Sequence, residues 1–152
     1  MTSLTTLIEN ESKRSDIVAD CVTTLEGEIE SKSGVTGLAI KNGYKAVAHQ
    51  QDGQLIPNAV NKMLPRFVDK LDGYYQDYLQ LDEASRPEFS DYLVSRDVEV
   101  TESLLEVTDF RAANTKRAVL AKAYNALRPM AANQVKQGLP LVGDIVQRHV
   151  SA

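Results

Sequence analysis

The sequence predicts an all-α protein: a compact bundle of eight or nine mostly short helices, forming one domain over residues 1–152. Apolar residues recur at three- and four-residue spacing almost throughout, the period of one face of a helix. No stretch alternates with period two for long enough to make a strand. Glycine, proline and small polar residues then cut the helical pattern into pieces.

A short first helix is expected from about Ser3 to Asn10, and a long second one from about Ser12 to Ser31. The second carries Ile17, Val18, Cys21, Val22, Leu25 and Ile29 on one face, with Glu26, Glu28 and Glu30 on its more solvated side. Lys32-Ser33-Gly34 ends it, because glycine closes a helix in the left-handed conformation without a Cβ penalty. A third helix, about Val35 to Ala48, is expected to bury Leu38, Ala39, Ala46 and Val47. Gly43 inside it costs about 1 kcal/mol relative to alanine and so suggests a close approach between helices.

After a turn at residues 50–54, Pro57 suits the first turn of a fourth helix that runs to about Leu81. Its face is Val60, Met63, Leu64, Phe67, Val68, Leu71, Tyr74, Tyr75 and Tyr78, and Pro65 is expected to kink or restart it. Ser85-Arg86-Pro87-Glu88 has the form of a capping box for a short helix carrying Phe89, Tyr92 and Leu93. Asp97 is expected to cap the next helix, which holds Val100, Leu104, Leu105 and Thr108. Asn114 is expected to cap the one after, through Val119, Leu120, Ala123, Tyr124 and Leu127. Pro129 and Pro140 divide the remainder into two short helices ending near Val150.

Composition fits a globular domain: 43% of residues are hydrophobic and 25% charged, close to the average for folded proteins. Apolar runs are far shorter than the ~20 residues a membrane-spanning helix needs, so no membrane association is expected. The N-terminus has no basic start, apolar core or small-residue cleavage site, so a cytoplasmic protein is expected. The single cysteine, Cys21, allows no intramolecular disulfide and reads as a small buried apolar residue.

Charge is distributed unevenly. Residues 1–110 carry 10 Lys/Arg against 20 Asp/Glu, whereas residues 111–152 carry 7 Lys/Arg against Asp144 alone. A basic arm for an acidic partner would produce this split, and so would C-terminal helices lying across acidic ones within the fold. The basic third is rich in core-type residues such as Val119, Leu127, Leu139 and Val146, which favours the intramolecular account.

Residues 39–47 resemble residues 119–127, and Val60, Leu64, Pro65 and Asp69 share their spacing with Val135, Leu139, Pro140 and Asp144. Two readings stay open. Residues 15–72 and 98–150 are either a duplicated three-helix unit in pseudo-twofold arrangement or helices alike in composition.

No arrangement of residues points to catalysis, and neither a metal nor a cofactor is expected. His49 and His149 lack a carboxylate or second histidine at helical ligand spacing and read as solvated residues near helix ends. Nucleophile motifs and glycine-rich phosphate loops are missing. Two weaker features remain. Tyr74, Tyr75 and Tyr78 form either buried rings or a ligand- or partner-binding patch, since tyrosine is a preferred interface residue. Arg111, Lys116 and Arg117 surround the expected start of the Asn114 helix and form a candidate anion site, with internal ion pairing as the alternative. The acidic balance and lack of base-reading groups argue against nucleic acid.

The combination of Val18-Ala19-Asp20-Cys21, Lys32-Ser33-Gly34, Leu64-Pro65, Phe67-Val68-Asp69, Val107-Thr108-Asp109 and Leu127-Arg128-Pro129 resembles a family of small, uncharacterised bacterial helical proteins, a domain of unknown function. The resemblance spans nearly the whole chain and implies a helical fold in a bacterial cytoplasm. It implies no activity. The expected function is therefore a non-enzymatic interaction or adaptor protein acting through a helical surface, with itself as a homodimer or another protein as partner. The competing expectation is a small-molecule-binding protein with an apolar pocket between the halves, walled by Tyr74, Tyr75 or Tyr78.

Overall fold

Helical periodicity is realised as seven α-helices and one 3-10 turn among residues 3–151, the part of the chain that the computed structural model describes. In order they are α1 (Leu4–Leu7), α2 (Glu11–Ser31), α3 (Gly34–Ala48), the 3-10 turn (Gln50–Gly53), α4 (Leu55–Leu79), α5 (Phe89–Ser95), α6 (Asp97–Asn114) and α7 (Ala118–Ser151). Those residues contain no strand.

The helix count falls short of the expected eight or nine because prolines do not break the chain where the pattern says they should. Pro129 and Pro140 both lie inside the single 34-residue α7. Each removes the amide that would pair with the carbonyl four residues back. Those carbonyls belong to Asn125 and Lys136, which are exposed, so water can take the place of the lost donor. Pro65 in α4 is accommodated differently: Arg14 of α2 donates through Nη2 to the freed Asn61 carbonyl at 2.7 Å and through Nε to the Asn61 side-chain oxygen at 2.8 Å.

Helix starts also shift. The capping box at Ser85–Glu88 does not form; α5 begins at Phe89, with Glu88 in the cap position and no side-chain cap bond. The loop before it is held instead by the Tyr78 hydroxyl, which donates to the Pro87 carbonyl at 2.6 Å. Asp97 is the first residue of α6 rather than its cap. Asn114 closes α6 instead of opening the next helix, its side-chain amide donating to the Phe110 carbonyl at 2.8 Å. Side-chain caps do form at Ser3 for α1 and at Asn10 for α2.

The main core joins α1, α2, α4, α5, α6 and the C-terminal part of α7. Phe89, Leu93, Val100 and Leu139 are fully enclosed within it. Tyr75, Tyr78, Phe89 and Tyr92 pack ring against ring, with Tyr75 edge-on to Phe89 at 5.2 Å between centroids. A chain without tryptophan thus places four of its aromatics in one cluster, where each offers a large apolar area. Leu4 is drawn onto the same core by its backbone amide, which donates to Asp72 of α4 at 2.8 Å. Gly143 allows α7 to touch the start of α5: a Cβ there would lie 2.6 Å from the Ser90 backbone nitrogen.

α7 is the axis of the bundle and contacts α1, α2, α3, α5 and α6. Its N-terminal half runs antiparallel to α3. Lys32 reaches Gln137, Gly43 of α3 faces Leu127, and Gln51 beyond α3 engages the Arg117 guanidinium. Gly43 does mark the close approach, since a Cβ there would sit 3.1 Å from Leu127. The buried face of α3 is rotated from the expected one: Gly37, Ile40 and Val47 are buried, while Leu38 and Ala46 are exposed. Residues 39–47 and 60–69 lie on α3 and α4 with a turn between them, whereas 119–127 and 135–144 lie on one helix.

Candidate functional site

The region where α2 passes into α3 is the most exposed apolar part of the fold. Gly34, with φ +74°, turns the chain after α2. Gly37 then packs so closely on the end of α2 that a Cβ would fall 2.7 Å from the Lys32 carbonyl carbon. The two glycines fix α3 with one face on α7 and the other in solvent. Val35 is 88% exposed and Leu38 60%, the most exposed large apolar residues apart from Val98, also 60%. Asn42 and Ala46 continue the same stripe and are exposed as well.

Between α2 and α3 lies an open groove of about 450 Å³ lined by Glu26, Ile29, Glu30, Lys41, Tyr44, Lys45, Ala48 and His49. The Tyr44 hydroxyl donates to Glu26 Oε2 at 3.2 Å. Burial first, and then the Glu26 charge, push the Tyr44 phenol up to about 12. Tyr44 is therefore a hydrogen-bond donor at neutral pH and not a base. Among the described residues Lys41 and Lys45 make no ion pair. A second open groove of similar size lies between α2 and α4, lined by Val18, Val22, Pro57, Asn58 and Asn61 among others.

The tyrosines flagged in the sequence do not form a surface patch. Tyr75 and Tyr78 lie in the aromatic core, because positions 71, 75 and 78 share the face that α4 turns towards α5. Tyr74 is half-buried beside them and its hydroxyl pairs with Ser103 Oγ at 3.0 Å.

Arg111, Lys116 and Arg117 are also redistributed. Arg111 sits in the last turn of α6, Lys116 in the linker, and Arg117 directly before α7, where it contacts Gln51. The expected helix start at Asn114 around which they were to gather is a helix end.

Sequence spacing did not bring out two carboxylate-centred networks. Asp20 of α2 accepts from Arg148 of α7 at 2.8 and 3.0 Å, and His149 Nε2 lies 2.8 Å from Asp20 Oδ2. Burial pushes the Asp20 carboxyl up, but the bonds from Arg148 and His149 outweigh it and hold it below the ordinary carboxylate value. His149 is thus partly buried and paired instead of solvated, with 14% of its side chain exposed. A separation of 129 residues hid the pairing from any spacing rule. Beside it Cys21 packs on the core, and burial, followed by the Asp20 charge, pushes its thiol up to about 11. It stays protonated and inert at neutral pH.

The second network centres on Asp109 of α6. Arg128 of α7 donates to both its oxygens, at 2.8 and 3.2 Å, and the Tyr124 hydroxyl donates at 2.5 Å. The Arg128 and Tyr124 hydrogen bonds hold its carboxyl below the usual range. With Lys136–Asp97 at 3.4 Å, α7 meets acids of α2 and α6 at three levels. Three of the seven Lys/Arg residues in 111–152 (Arg128, Lys136 and Arg148) are thus paired with acids inside the molecule.

No three of the described His, Cys, Asp and Glu residues are grouped to hold a metal ion, and no described helix is long and apolar enough to cross a membrane. The chain belongs to a family of unknown function (DUF6918), whose model matches residues 4–150. No curated protein and no solved structure matches it.

Proposed function

We propose that the protein is a non-enzymatic interaction or adaptor domain of the cytoplasm that engages another protein through the outward face of α3. The exposure of Val35 and Leu38 carries this reading. Leaving two large aliphatic side chains in water forfeits burial worth about 1.5–3 kcal/mol each, which an interface would recover. The lone free cysteine, Cys21, packed against the core with its thiol pushed up by burial, fits an intracellular setting without disulfides.

The reading is tested by placing a photo-crosslinking residue at Leu38 in cells of the source organism. A single protein partner crosslinked from position 38 supports it, provided the same residue at exposed Glu11 captures none. Equal, diffuse crosslinking from both positions would sink it.

The second reading, a small-molecule-binding protein, is favoured by the α2–α3 groove with its phenol, carboxylates and amines. A native mass spectrum separates the two. Extra mass that disappears on denaturation supports the ligand reading.

A further inference from the structure

The reading of α3 as an interaction surface can be carried to the chemistry of what it binds. The stripe Val35, Leu38, Asn42, Ala46 follows the three- and four-residue spacing of one helix face and carries no charge. Its later members are short enough to admit another backbone closely. Lys41 and Lys45 stand one turn apart along the edge of the helix that borders the groove, and neither has an ion-pair partner within the described residues. From residue 34 to residue 51 the chain contains no Asp or Glu. Ser33 makes no side-chain bond to the first amides of α3, so the positive end of the helix dipole beside Val35 is also uncompensated.

We propose that this face receives an acidic amphipathic helix of a partner protein, a proposal that rests on the interaction reading above. The partner's apolar residues cover Val35 and Leu38, and its carboxylates meet Lys41 and Lys45. Glu26 and Glu30, across the groove on α2, repel negative charge beyond that lysine row and so confine the partner to α3. A second copy of the chain fits less well. An antiparallel twofold pair of α3 faces sets Lys41 and Lys45 against the same two residues of the other copy. An anionic membrane fits less well too, because the stripe offers two large aliphatic side chains and no aromatic anchor.

The test uses the full chain and three labelled helical peptides of about 20 residues. All share one leucine face; their polar positions are all Glu, all Gln or all Lys. Fluorescence anisotropy should show the Glu peptide binding roughly tenfold more tightly than the Gln peptide, with the Lys peptide weakest. Raising salt from about 0.05 M to about 0.5 M should remove most of that preference. The Lys41→Glu/Lys45→Glu variant should invert it, and Val35→Ser/Leu38→Ser should weaken every peptide. Val35, Leu38 and Lys45 are exposed and Lys41 is half-buried, and an unchanged circular-dichroism melt confirms the fold of each variant. Equal binding of the three peptides through Val35 and Leu38 would overturn the acidic partner and leave the interaction reading standing. Failure of all three peptides to bind overturns the proposal, while the crosslink from position 38 judges the broader reading separately. A dimer in the native mass spectrum that Val35→Ser/Leu38→Ser abolishes would assign the face to a second copy. Tighter binding to phosphatidylserine vesicles than to the Glu peptide would assign it to a membrane.

Discussion

The two halves of α7 differ sharply in what surrounds them. From Leu139 onward the helix is enclosed: Leu139 is fully buried, Gly143 lies against the Ser90 backbone, and Val146 is buried. From Ala118 to Gly138 no residue is buried, although Val119, Leu120, Leu127 and Val135 are all apolar. The first half is covered by α3 and α6, neither of which puts an aromatic ring in the core; the second is covered by α5, which supplies Phe89, Tyr92 and Leu93 from seven residues. Apolar content alone does not decide enclosure. Large rings supplied from the two helices α4 and α5 do, because they close the gaps that Ala and Val leave open.

The largest expected effect breaks the enclosed half. Gly143→Ala would drive a Cβ into Ser90 backbone, which cannot rotate away, and should cost about 3 kcal/mol or more in chemical denaturation. The same change at Gly43 meets only the flexible Leu127 side chain and regains about 1 kcal/mol of helix propensity, so stability should move by less than about 1 kcal/mol. Equal losses at the two glycines would mean that the halves are packed alike. Leu139→Ala should follow, costing about 2–5 kcal/mol, and clearly more than Leu127→Ala in the half-buried stretch.

A smaller effect concerns the ion pairs that tie α7 to its neighbours. Asp20 and Asp109 have folded-state pKa values below the ordinary one, so their contribution is present above the unfolded value of about 3.9 and is lost as pH falls through the folded values. Urea midpoints measured from about pH 6 down to about pH 2 should therefore fall more steeply for wild type than for Asp20→Asn. Asp109 is 45% exposed and should contribute less than Asp20, at 24%. Parallel acid profiles for wild type and Asp20→Asn would remove the Asp20 network from the stability of the fold.

The smallest effect has the opposite sign. Thr101 is buried and its hydroxyl has no partner, so Thr101→Val should be neutral or raise stability by about 1 kcal/mol in the same denaturation assay. A loss above about 1 kcal/mol would show that the hydroxyl is satisfied in solution.

Much of the fold was legible because helix formation is read from near neighbours. The face of α4 through Leu64, Val68, Leu71, Tyr75 and Tyr78 followed from spacing, as did Phe89, Tyr92 and Leu93 of α5 and the breaks at residues 32–34 and 50–54. The turn at 50–54 even places Gln51 and Asp52 in the left-handed region, at φ 55° and 56°, ahead of Gly53. The candidate sites were less legible. The tyrosines satisfied an interface pattern and a core pattern equally, and only the position of α5 over α4 decided between them.

By itself the sequence determined the helical class, most helix positions and the partition of charge, since all three depend on residue identity and short spacing. Tertiary structure decided the rest. It kept α7 whole across two prolines whose freed carbonyls belong to the exposed residues Asn125 and Lys136, and α4 across Pro65 by supplying Arg14. It brought Asp20 to Arg148 and His149 across the length of the chain, and turned Leu38 out while turning Ile40 in. Each outcome depends on which distant surface arrives beside a residue, and local periodicity carries no record of that.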